Sequence, residues 1–116
     1  MKALHWRLLF WSASLFALVM ALLPRPPRLP GELDDKIQHI IAFAVLALLA
    51  RIAYRRTRNL VLLVGLSLFG AAIEVLQTIP VLHRDGDPLD WIADTASAAL
   101  VLVGFSFFGR RWTDAR

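Results

Sequence analysis

A chain of 116 residues has room for one domain, and 58% of its residues are hydrophobic, with a mean hydropathy of +0.59. The apolar residues come in long blocks, the distribution of a membrane protein and not of a soluble core. The absence of cysteine excludes disulfides, thiolate metal sites and thiol catalysis, and the net charge of +4 gathers at the ends of the apolar blocks, where basic residues act as topology determinants and not as a nucleic-acid surface.

The first apolar stretch, 8–23, is 16 residues long, short against the roughly 20 that a spanning helix needs, but Trp6 and Trp11 can anchor it at an interface. Its basic start and the triplet Val19-Met20-Ala21 also have the make-up of a signal peptide; the run is long for a signal core, which favours a retained helix. Pro24, Pro26, Pro27 and Pro30 then forbid helix, because proline removes amide donors and clashes with the preceding turn. The second stretch, 37–54, has a fully apolar centre only over 40–50, with His39 and Arg51 at its edges; it reads as spanning if Arg51 snorkels toward water.

Arg55, Arg56, Thr57, Arg58 and Asn59 make a tight basic turn into the third stretch, 60–79. There Gly65, Gly70, Ala71 and Ala72 permit close helix approach. A polar loop over 80–90, with Gly86 and Pro88, leads to the fourth stretch, 91–108, where Ala93, Thr95, Ala96, Ala98 and Ala99 are equally small. The expected fold is all-α: an integral membrane four-helix bundle in a single domain, 1–116. With both termini cytoplasmic, nine Lys and Arg residues lie inside and four outside (Arg25, Arg28, Lys36 and Arg84), as the positive-inside rule requires.

On this topology a set of polar residues converges at the outer face. Asp35, Lys36 and His39 open the second helix; Glu74 and Gln77 lie near the end of the third; Arg84, Asp87, Asp90 and Asp94 lead into the fourth. Asp35 can cap the second helix with Gln38 completing a capping box, and Asp87 can cap the fourth with Pro88 at its first position. His39 is one turn beyond Asp35, and Phe43 continues the same face. Glu74, six residues before Pro80, would lie roughly 9 Å inside the helix end at about 1.5 Å per residue. At that depth a carboxylate costs about 2–3 kcal/mol or more unless paired or protonated. Structural pairing with Arg84, Lys36 or His39 is the bland alternative to an acid/base or ligand role. Asp90, Asp94 and Ser97 form one stripe on the fourth helix. His39, Glu74, Asp90 and Asp94 have the chemistry of metal ligands, but no pair has a diagnostic spacing, so no metal residues are assigned. Arg84 with Lys36 suits a phosphate or carboxylate of a lipid-linked molecule.

The order Asp35-Lys36-x-x-His39, Glu74-x-x-Gln77, a proline, then Arg84-x-x-Asp87-x-x-Asp90 resembles the VanZ-like family of small bacterial membrane proteins, over about residues 34–104. The family's usual continuation is an asparagine and then a glycine where this chain has Asp94 and Ser97, a departure that adds a negative charge and removes a close-packing glycine. The resemblance implies a multi-pass protein of the bacterial cytoplasmic (inner) membrane, acting in the cell envelope or in the response to glycopeptide (teicoplanin-type) antibiotics.

Three functions are compatible with these residues: a binding protein with an outward-facing polar pocket; a small membrane enzyme acting on a lipid-linked envelope substrate, with Glu74 or His39 as general acid/base; and a transporter subunit, which would need an oligomer. The expected partners are membrane lipids and a lipid-linked envelope precursor or a glycopeptide, with no nucleic acid; the sequence leaves the cofactor unknown and an oligomer open.

Overall fold

The computed structural model describes residues 2–23, 35–80 and 88–114, without the side chains of Asp35, Lys36 and 108–114. The described residues form α1 (Ala3–Leu22), α2 (Asp35–Ala53), α3 (Asn59–Leu76) and α4 (Pro88–Asp114). Three segments are long and apolar enough to cross a membrane: Ala3–Leu22, Asn59–Leu76 and Pro88–Phe107. The apolar part of α2, Ile37–Ala53, is shorter.

The helix ends have local causes. Pro88 opens α4, where its missing amide donor costs nothing and its fixed φ suits the first turn. α3 stops at Leu76 and not at 79 as its apolar run suggests. The Thr78 hydroxyl donates to the Val75 carbonyl at 2.6 Å, which satisfies an end-of-helix acceptor, and Pro80 disfavours helix at the residue before it. α1 starts earlier than its apolar run because Trp6 and Arg7 continue the helix, and the Arg7 Nε–H donates to the carbonyl of Ala53 at 3.3 Å.

Cross-helix bonds define an up-down-up-down arrangement. The start of α1 meets the end of α2: besides the Arg7–Ala53 bond, the Trp11 indole N–H donates to the Tyr54 hydroxyl at 2.8 Å, and the Arg7 guanidinium lies 4.7 Å from the Tyr54 ring centroid. At the opposite end, Gln77 after α3 donates its amide N–H to the Ala21 carbonyl of α1 at 2.9 Å. The start of α3 lies beside the later part of α4, where Asn59 Nδ2 donates to Ser106 Oγ at 2.7 Å.

α2, the helix with the shortest apolar segment, supplies most of the core: Phe43, Leu46, Ala47, Ala50 and Ala53 are all buried. Leu66 and Ile73 of α3 and Ala98 and Leu102 of α4 close on it. Ala47 and Ala98 are completely buried, as the small residues of two closely packed helices should be. Gly70 admits the Phe43 ring: a Cβ there would lie 3.3 Å from Phe43 Cζ and 3.5 Å from Trp91 Cδ1. Gly65 does not have the close-approach role its sequence suggests, since nothing lies within 4 Å of a Cβ placed on it. α1 is peripheral, with Ser14 its one buried residue among those described. Large apolar side chains face outward on all the helices, among them Leu15, Phe16, Leu60, Leu68, Leu100 and Val103. Soluble monomers rarely expose apolar surface so continuously.

Arg51 is not extended toward water. It is buried, and its Nη2 donates to the carbonyls of Tyr54 (2.6 Å), Arg55 (2.9 Å) and Thr57 (2.6 Å), while Nη1 donates to Asn59 Oδ1. A helix that ends in a tight turn leaves its last carbonyls without intrahelical donors, and a guanidinium with five N–H groups supplies them.

Candidate functional site

The ends of α2, α3 and α4 opposite this arginine bring His39, Glu74 and Asp94 together. Each is placed by helical spacing. His39 lies one turn before buried Phe43, so its ring faces the bundle. Glu74 follows buried Ile73, and Asp94 precedes buried Ala98 by one turn. Because α3 stops at Leu76, Glu74 lies in its last turn and not far along the helix, yet neighbouring helices leave it only 8% exposed.

His39 Nδ1 lies 3.3 Å from Asp94 Oδ2 and 4.0 Å from Glu74 Oε1. The Asp94 residue is 1% exposed, and its second oxygen, Oδ1, is buried with no hydrogen-bond partner among the described residues. Among those residues this is the group of three ligand-type side chains whose donor atoms converge, all within 4.8 Å of one another. Asp90, one turn before Asp94, is also buried and adds to the negative potential at the histidine.

The other expected site residues divide into three sets. Gln77 is buried, but its amide N–H is committed to the Ala21 carbonyl, so it fastens α1 to the site's end of the bundle. Asp35 and Lys36 open α2, with side chains outside the description. Arg84 and Asp87 lie outside the described residues altogether. Ser97 bonds the backbone of the partner helix: its hydroxyl donates to the Ile40 carbonyl of α2 at 2.9 Å, one turn from the cluster.

Two features escaped the sequence reading. One is a polar clip beside the cluster: the Trp91 indole N–H donates to the Ser67 carbonyl and hydroxyl, both at 3.0 Å, and Ser67 Oγ lies 3.1 Å from Thr95 Oγ1. The spacing of Trp91 and Thr95, one turn apart, was the available signal. The other is a groove of about 390 Å³ between α1 and α2, lined by apolar side chains such as Phe16, Met20, Val45 and Leu46 and ending at Gln38 and His39. A groove between two helices has no signature in either helix alone.

The cluster can do three things chemically. A carboxylate beside imidazole Nδ1 can orient the ring for proton transfer. Acceptor atoms around a shared space can hold a cation. A polar group at the end of an apolar groove can seat the head of an amphipathic molecule. No protein-family model, curated protein or solved structure matches this chain.

Proposed function

We propose that this chain is a VanZ-like, multi-pass protein of the bacterial inner membrane that binds an amphipathic envelope molecule. Both termini are cytoplasmic, and the His39–Glu74–Asp94 cluster lies at the extracytoplasmic ends of the helices. The polar head of a lipid-linked precursor or a glycopeptide contacts the cluster, and an apolar portion lies in the groove between α1 and α2. One observation carries this reading: His39 belongs to both features, 3.3 Å from Asp94 and on the wall of the groove. The groove's volume, about 390 Å³, is within the range of small-molecule sites, roughly 300–1,000 Å³. The membrane assignment is supported by the outward apolar side chains, and the orientation by the nine-to-four distribution of basic residues.

The test is native mass spectrometry of the purified protein with defined anionic and isoprenoid-linked lipids, for wild type, His39→Ala and Ala17→Phe. Ala17 lines the groove on the α1 side, so the larger side chain fills part of it without changing the ionisable residues themselves. Both variants should lose the retained lipid. Equal retention by all three would refute the reading.

A second reading rests on the His39–Asp94 pair. A buried carboxylate that fixes a histidine ring is the arrangement of a general acid/base, so the bound molecule would also be a substrate. Turnover of a lipid-linked substrate that disappears in His39→Gln, with lipid binding retained, separates this reading from binding alone.

A further inference from the structure

We infer that His39, Glu74 and Asp94 form a binding site for one divalent transition-metal cation of the zinc or manganese type. The inference does not rest on the lipid-binding reading, because it concerns only these three side chains.

His39 and Asp94 share one long hydrogen bond, and Glu74 stands farther off, so the three side chains surround a space without closing it. A charge-assisted N–H···O bond is about 2.7–2.9 Å long, and Nδ1 to Asp94 Oδ2 is 3.3 Å. Nδ1 to Glu74 Oε1, at 4.0 Å, is beyond hydrogen-bond reach. Metal–ligand bonds of about 2.0–2.1 Å in a tetrahedral site put neighbouring ligand atoms about 3.3 Å apart. One edge of the cluster already has that length, and all the ligand atoms lie within 4.8 Å of one another.

The second observation is Asp94 itself. Its residue is 1% exposed, and among the described residues His39 is the group within ion-pair distance of it. Oδ1 is buried without a hydrogen-bond partner among the described residues. A carboxylate oxygen left in this state is costly, and a coordinated cation relieves that cost. The charges agree: two carboxylates and a neutral imidazole balance a divalent ion.

The donor set selects the metal class. Imidazole disfavours magnesium and calcium, which take oxygen ligands, and the absence of thiolate disfavours the softest ions. One histidine and two carboxylates suit zinc or manganese. Three protein ligands also leave a position open, the pattern of sites that take up a further ligand and not of closed structural sites. The spacing Glu74…Asp94 with His39 on a third helix explains why no sequence motif announces the site: each ligand comes from a different helix.

The test uses the full chain, purified in detergent, stripped with chelator and dialysed against Zn²⁺, Mn²⁺ or Co²⁺ alone. Elemental analysis should find one equivalent of Zn²⁺ or Mn²⁺ in wild type and at least a tenfold weaker affinity in Asp94→Asn and Glu74→Gln. The Co²⁺ form should show ligand-field absorption that these variants lose. A double variant, His5→Ala with His83→Ala, should bind as wild type does, which separates this site from the chain's other histidines. If either carboxylate variant unfolds, the Co²⁺ spectrum of folded wild type, with and without His5 and His83, still decides. Failure of stripped wild type to bind any of the three metals overturns the inference. So does loss of the metal in the His5→Ala, His83→Ala variant, or its undiminished retention in folded Asp94→Asn and Glu74→Gln. Lipid retention is not read in this experiment, so a failure here leaves the lipid-binding reading to its own test.

Discussion

The two ends of α2 solve the same problem in opposite ways. Each carries a polar group into a largely apolar bundle. At the C-terminal end, Arg51 meets three backbone carbonyls and an asparagine side chain, and that asparagine in turn bonds Ser106 and, at 3.4 Å, the Leu102 carbonyl. At the N-terminal end, His39 meets two carboxylates across longer gaps, and one carboxylate oxygen has no hydrogen-bond partner among the described residues. A network whose donors and acceptors are matched holds structure together. A cluster with acceptor capacity in hand is suited to binding something else. Buried charge by itself therefore does not distinguish scaffold from site; the completeness of its partners does.

Substitutions can break this contrast or sharpen it. Arg51→Met should have the largest effect, a loss of about 2–4 kcal/mol, because it removes a buried charged donor that bonds three backbone carbonyls and the Asn59 side chain. Reversible unfolding in mixed micelles measures it, and a loss below about 1 kcal/mol would mean that the arginine network is not structural.

Gly70→Val comes next. The added side chain meets Phe43 and Trp91, and overpacking of this kind costs about 1–3 kcal/mol. Gly65→Ala, with open space around it, should be neutral or stabilise by up to about 1 kcal/mol through helix propensity. Equal effects at the two glycines would contradict the packing described for α3.

Ser97→Ala should cost about 0.5–1 kcal/mol, the usual range for a hydrogen bond between membrane helices, through loss of the bond to Ile40. The smallest effect is expected for Asp94→Asn, within about 0.5 kcal/mol of wild type in the metal-free protein. The amide keeps a polar contact to His39 and removes one negative charge from a site that holds Glu74 and Asp90 as well. If Asp94→Asn instead destabilises as much as Arg51→Met, the two ends of α2 are alike, and the cluster is scaffold.

The helices were largely legible in the chain. Runs of about 16–20 apolar residues between proline- and arginine-rich turns read as four helices, and Pro88 marked the start of the last. The end of α3 was misread because hydropathy continues to Ile79, whereas the backbone turns at Gln77. Of the expected site residues, His39, Glu74 and Asp94 lie together, while the Gln77 side chain bonds α1. Arg51 shows the limit most clearly. Its sequence position, at the edge of an apolar run, is that of a snorkelling residue, yet nearby carbonyls hold it inside.

Hydrophobic periodicity, proline placement and basic turns act along the chain, so the sequence by itself determined that there are four helices, roughly where they lie, and that polar groups gather toward one end. Distances between residues dozens of positions apart depend on how helices rotate and approach, and small residues such as Gly70, Ala47 and Ala98 set that approach only in pairs across an interface. The tertiary structure alone therefore decided that α2 is central and α1 peripheral, that Arg51 bonds three carbonyls and Asn59, and that three ligand-type side chains from three helices face one another beside an apolar groove.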